Sequence, residues 1–144
     1  MTKEDKKLLL KDLSARLSYG VMCQVDDGAA GLNDGKLIEI DISKELVRFD
    51  VDYYWDAYID DVKPYLRPMS SMTDEELIEF LEIRGKNINS EELRTFREGE
   101  TAIVSILPLY SKHIDWLNAH HFDYRGLIEK GLALEAPKKV YNIN

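Results

Sequence analysis

The sequence predicts an α+β fold: an N-terminal helix, a small antiparallel β-meander, and C-terminal helices packed on one face of the sheet. Two patterns carry this. Leu9, Leu13 and Leu17 recur every fourth residue with Leu10 alongside, which is the spacing of one helix face. Between Ile38 and Ile59 apolar and polar residues alternate, which is the period of a half-buried strand.

Thr2 can cap the first helix, with Asp5 at the third helical position completing a capping box, and Tyr19-Gly20 closes it. A short apolar run from Val21 to Val25 follows, and residues 26–35 are rich in turn formers. Ile38, Ile40 and Ile42 then alternate with Glu39 and Asp41. A second alternation sets Val47, Phe49 and Val51 against Arg48, Asp50 and Asp52, and continues through Trp55, Ala57 and Ile59 against Asp56, Tyr58 and Asp60. So long a run reads as two strands joined by a turn near Tyr53. An SH3-like barrel is the closed version of the same arrangement.

Pro64 and Pro68 take residues 60–68 out of the sheet as an ordered connector, because each lacks an N–H and biases its predecessor against helix. Thr73-Asp74-Glu75-Glu76 is a capping box, and the helix it opens carries Leu77, Phe80 and Leu81 until Gly85 stops it. Residues 86–99 carry conflicting signals. Ser90-Glu91-Glu92-Leu93 can start a helix, while Leu93-Arg94-Thr95-Phe96-Arg97 alternates like a strand, and the strand reading is taken. Residues 102–107 are too uniform to assign by period, so 87–107 as a whole stays open between helix and strand. Pro108 begins a helix running to about His120, with Tyr110, Ile114 and Leu117 on one face. Asp123 caps a shorter one through Leu127, Ile128 and Lys130, closed by Gly131. Residues 1–136 read as a single α+β domain and 137–144 as a loose tail.

The chain has 144 residues, 44% of them apolar, and a net charge of −8. This is the composition of a folded globule. Residues 26–61 hold eleven acidic side chains against three basic ones, which accounts for the whole net charge. Such a field repels nucleic acid and anionic membranes and attracts a basic partner protein. No apolar run approaches the length of a membrane span, and the start lacks a signal-peptide pattern, so a cytoplasmic location is expected. Cys23, the single cysteine, lies in an apolar stretch and reads as packing.

The densest chemistry lies between His113 and Gly126, which holds all three histidines. His113 and His120 sit two turns apart on a helix, about 10 Å, too far to share an ion. His120 and His121 diverge around the axis, so no metal site is assigned. An acid–base reading would use His121 as base, Asp123 to orient it and Arg125 to gather an anion, the outline of a small hydrolase. The structural reading is preferred: a histidine ends one helix, Asp123 caps the next, and Trp116, Phe122 and Tyr124 fill the junction. Asp50, Asp52 and Asp56 fall on one strand face but lack the loop pattern of a calcium site. No phosphate loop, dinucleotide fingerprint or nucleophile elbow is present, and no cofactor is implied.

Three stretches, residues 1–13, 61–73 and 115–134 (the last including Asp115-Trp116-Leu117-Asn118 and His121-Phe122-Asp123-Tyr124-Arg125-Gly126), resemble small uncharacterised proteins of gut Bacteroidales and their prophages or other mobile elements. The resemblance implies a bacterial or phage cytoplasmic setting and carries no activity or functional residue with it.

The expected function is therefore that of a non-enzymatic accessory protein working by protein–protein interaction. Its candidate contact residues are Asp50, Asp52 and Asp56 on the sheet, and Trp116, His120, His121, Asp123, Tyr124 and Arg125 near the C-terminus. Nucleic-acid association, through Lys3, Lys6, Lys7 and Lys11, is the remaining alternative.

Overall fold

In the computed structural model, residues 1–50, 55–83, 85, 89–98 and 111–142 are described. The fold is α+β. Helix α1 (Lys3–Arg16) starts at Thr2, whose hydroxyl accepts the Asp5 N–H while the Asp5 carboxylate accepts the Thr2 N–H. It ends through a short turn at Gly20, held at φ 68°, a conformation glycine adopts without penalty.

Six strands form one sheet in the order β4-β3-β2-β1-β5-β6: β1 (Met22–Asp26), β2 (Leu32–Asp41), β3 (Leu46–Asp50), β4 (Trp55–Tyr58), β5 (Val62–Leu66) and β6 (Leu134–Glu135). Neighbours are antiparallel except β5 and β6, which run parallel. Among the described residues β4 and β6 are the end strands and do not pair with each other. Helix α1 lies on its inner face, burying Leu9, Leu10 and Leu13 against Cys23, Val25, Leu37, Val47, Phe49 and Ile59.

Five details depart from the sequence reading. First, Leu32, Asn33, Asp34 and Gly35 belong to β2 rather than to a turn, because they pair with β1 in unbroken register. Second, the register of β2 against β3 shifts between Leu37 and Glu39, the mark of a β-bulge. Leu37 and Ile40 therefore face inward. Ile38 is displaced to the surface, and Ile42, in the turn beyond the strand, is 63% exposed.

Third, residues 62–66 are a strand, not a connector. Val62 and Leu66 are fully buried, and β5 is flanked by β1 and β6. The Leu66 carbonyl accepts the Ala136 N–H on the β6 side. Residues two apart turn their backbone groups the same way, so the nitrogen of Pro64 faces away from β1 and costs that pairing no hydrogen bond. Fourth, α3 (Ser90–Glu98) is a helix, although Leu93 to Arg97 alternates like a strand, and the Asn89 side chain accepts the Glu92 N–H at its start. Local alternation lost to this cap and the acidic first turn. The assignments made for residues 51–54 and 99–110 lie outside the described residues.

Fifth, within the tail expected to be loose, Tyr141 is anchored to the sheet. A short turn (Lys138–Val140) leads to Tyr141, whose hydroxyl accepts the Met22 N–H at 2.9 Å and donates to the Tyr65 carbonyl at 2.7 Å. The phenol thus fills the gap where β1 and β5 part.

Helices α2 (Asp74–Glu82) and α4 (Ser111–Ala119) enclose a second apolar cluster of Met72, Leu77, Phe80, Leu81, Leu117 and Phe122. Arg67, just past β5, joins it to the sheet by pairing backbone groups with His121 and Asp123. No helix among the described residues is long and apolar enough to cross a membrane.

Candidate functional site

Two regions collect the residues singled out by the sequence. The first is the outer face of the sheet. Cross-strand register places Asp34, Gln24 and Lys63 in one row, Lys36 and Asp50 in another, Glu39, Arg48 and Asp56 in a third, and Asp41, Leu46 and Tyr58 in a fourth. Arg48 bridges the third row, donating from Nη1 to Glu39 at 2.9 Å and from Nε to Asp56 at 2.8 Å. That bond holds the Asp56 carboxyl below its ordinary range. Asp26, Asp34, Glu39, Asp50 and Asp56 are exposed, and with Asp41 they outnumber the cations Lys36, Arg48 and Lys63 on this face. Asp50 and Asp56 thus share the face expected of them, while Asp52 lies outside the described residues. Tyr58, 63% exposed, adds an aromatic surface beside the charges.

The second region is the junction after α4. The last turn of that helix closes with the Phe122 N–H on the Leu117 carbonyl and the His121 N–H on the Asn118 carbonyl, the double bond of a Schellman motif. The left-handed position of this motif usually holds glycine, yet here it is His121, at φ 64°. Ten residues later the motif recurs, the Leu132 N–H on Leu127 and the Gly131 N–H on Ile128, this time with Gly131 at φ 73°. The expected second helix is thereby reduced to a single helical turn.

His121 is 8% exposed, and its ring stacks on Tyr141 at 3.8 Å between centroids. Burial, then the charges of Arg16, His120 and Arg67, push its pKa down to about 4, so the imidazole is neutral at physiological pH. His120 turns Nδ1 to the Trp116 carbonyl at 2.9 Å. A carbonyl can only accept, so Nδ1 donates to it. Both rings open on a cleft of about 460 Å³ shared with Arg67, Glu75, Glu76 and Tyr141.

Asp123, Arg125 and His121 do not form one constellation. Both carboxylate oxygens of Asp123 accept backbone N–H groups, from Leu127 at 2.8 Å and Ile128 at 2.9 Å, so it caps a turn. Arg125 reaches Asp12 at 2.7 Å and lies over the Tyr124 ring, whose hydroxyl donates to Asn118. Trp116 donates its indole N–H to Glu79 and stacks between His120 and Phe122.

Beneath this junction lies a charge network that the sequence reading missed. Asp12 and Arg16 are both fully buried on the inner face of α1, paired through Nε at 2.8 Å and Nη2 at 3.1 Å. Arg16 also donates to the Phe122 carbonyl at 2.7 Å, and Arg125 supplies Asp12 with a second cation. An acid and a base four apart on a helix read as a surface pair. The one available signal was their place beside the Leu9 and Leu13 face. Arg67 is also buried, held by Glu76 through two bonds of 2.7 Å with its guanidinium over the Phe122 ring at 4.1 Å.

Among the described residues no group of three or more His, Cys, Asp or Glu side chains is arranged to hold a metal ion. No family model matches the chain, and no curated protein or solved structure matches it.

Proposed function

We propose that this chain is a non-enzymatic interaction protein that receives a basic segment of a partner protein on the outer face of its sheet. The observation that carries this reading is the segregation across the sheet. Helix α1 and the 127–133 turn bury the inner face, while the outer face leaves Asp34, Glu39, Asp50 and Asp56 exposed, with the exposed ring of Tyr58 one row beyond Glu39, Arg48 and Asp56. An excess of carboxylates on one open surface speeds the encounter with a cationic partner and rejects anionic ones. Lysine or arginine side chains would exchange partners with the Glu39, Arg48 and Asp56 row, whose own ion pairs are exposed and screened by solvent.

The resemblance to gut Bacteroidales and prophage proteins supports a bacterial or phage-infected cytoplasm as the setting and an accessory role within it. Neutralising Asp50 and Asp56 together (Asp50→Asn, Asp56→Asn) tests the reading. Retention of the native partner on an affinity column should fall and its salt dependence should flatten. Salt-insensitive retention that survives both substitutions would remove the outer face from the interaction.

A further inference from the structure

We infer that the groove between α1 and the turn joining β2 to β3 docks an acidic segment of a partner protein that carries one large apolar side chain. The groove encloses about 360 Å³ and is lined by the apolar side chains of Leu10 and Ile42, by Lys3, Lys6, Lys7 and Lys11, and by Ser14 and Glu45, the last bound to Lys6.

The lysines differ in what they are free to do. Lys6 is bound to Glu45 at 3.2 Å and Asp60 at 3.0 Å, which anchors α1 to the sheet. Lys3, Lys7 and Lys11 are exposed and make no ion pair among the described residues. Spaced four residues apart, they form one edge of α1 about 12 Å long. Their aliphatic stems extend the apolar lining while their ammonium groups stay in water. Ile42 is 63% exposed because the bulge and turn of β2 carry it out of the core.

These three lysines beside Leu10 and Ile42 fit a ligand that carries carboxylates around one apolar side chain. The concave shape takes an inserted side chain rather than a bilayer surface. A phosphodiester backbone would use the lysines but not Leu10 and Ile42. The partner's carboxylates therefore meet Lys3, Lys7 and Lys11, and its apolar side chain settles between Leu10 and Ile42.

The probe is the capped pentapeptide Glu-Asp-Phe-Asp-Glu, titrated into isotope-labelled protein and followed by amide chemical shifts. Shifts should concentrate on residues 3–14 and 42–45. Replacing the probe's Phe by Ser should weaken binding at least fivefold. Lys7→Glu with Lys11→Glu should weaken it at least tenfold, and Ile42→Ser should erase the difference between the two peptides; all three positions are exposed, so folding is preserved. Shifts scattered over the molecule, or equal affinity for both peptides, would overturn the inference. So would tighter binding of a single-stranded oligonucleotide or of phosphatidylglycerol vesicles, or a self-association that Lys7→Glu abolishes, each of which assigns the groove to a different occupant.

Discussion

Tyr141 lies flat on His121, ring centroids 3.8 Å apart and planes within 11°, while its hydroxyl joins Met22 to Tyr65 across the gap between β1 and β5. One side chain near the C-terminus thus covers a left-handed histidine and completes the sheet. Burial raises its phenol far above the ordinary range, so it stays protonated and keeps donating to the Tyr65 carbonyl.

Tyr141→Phe keeps the stacked ring and removes the hydroxyl. The Met22 N–H and Tyr65 C=O then lose this partner, at a cost of about 1–3 kcal/mol. Denaturant unfolding should show that loss, and hydrogen exchange should show a deprotected Met22 amide. Unchanged stability with a protected amide would contradict the role assigned to the tail.

Acidification should destabilise the fold in two steps. His121 titrates near 4 in the folded chain against 6.5 ordinarily. The unfolded chain therefore takes the proton first, and the contribution is complete above 6.5 and lost as pH falls towards 4. The slope in that window cannot exceed about 1.4 kcal/mol per pH unit for one proton. Glu76 follows: burial raises its pKa, but the Arg67 hydrogen bonds, the Thr73 N–H and the Arg67 charge outweigh this and hold it at about 2 against 4.5. Its contribution is present above 4.5 and lost towards 2. His121→Asn, which tolerates the left-handed backbone, should flatten the upper step alone. An unaltered slope between pH 6.5 and 4 would show that His121 is not its source.

Asp12→Asn should be among the most destabilising single changes. It leaves Arg16 fully buried without its counter-charge, a situation that costs about 3–5 kcal/mol. Replacing both members, Asp12→Leu with Arg16→Met, should recover part of the loss, because much of it comes from the orphaned cation. A cost below about 1 kcal/mol for Asp12→Asn would mean that the pair is solvated.

What could be read from the sequence was what is local. Thr2 with Asp5 and Thr73 with Glu76 announce their helices because both partners of each cap lie three residues apart. Val47 and Phe49 reveal their inward face by simple alternation. The bulge at Ile38 was hidden, since a register shift depends on the partner strand and leaves the isoleucine spacing intact. Strand β5 was masked by Pro64, whose missing N–H matters only if that side of the strand needs a donor. The burial of Asp12 and Arg16 was equally invisible, because Phe122 and Arg125, more than a hundred residues away, create it. For His121 and Asp123 the preferred reading, a histidine that ends one helix and an aspartate that caps the next turn, is what the structure shows; the left-handed backbone at His121 appears only in the fold.

The outer sheet face is tested most directly by photo-crosslinking in the native cell, with a benzophenone amino acid placed at Tyr58 on that face or at Ser18 on the exposed side of the turn after α1. A discrete adduct with a basic protein should form from position 58, not from position 18, and should disappear when Glu39→Gln, Asp50→Asn and Asp56→Asn are combined. Equal adducts from both positions, or an adduct at position 58 that persists in the triple variant, would contradict the outer face as the interaction surface.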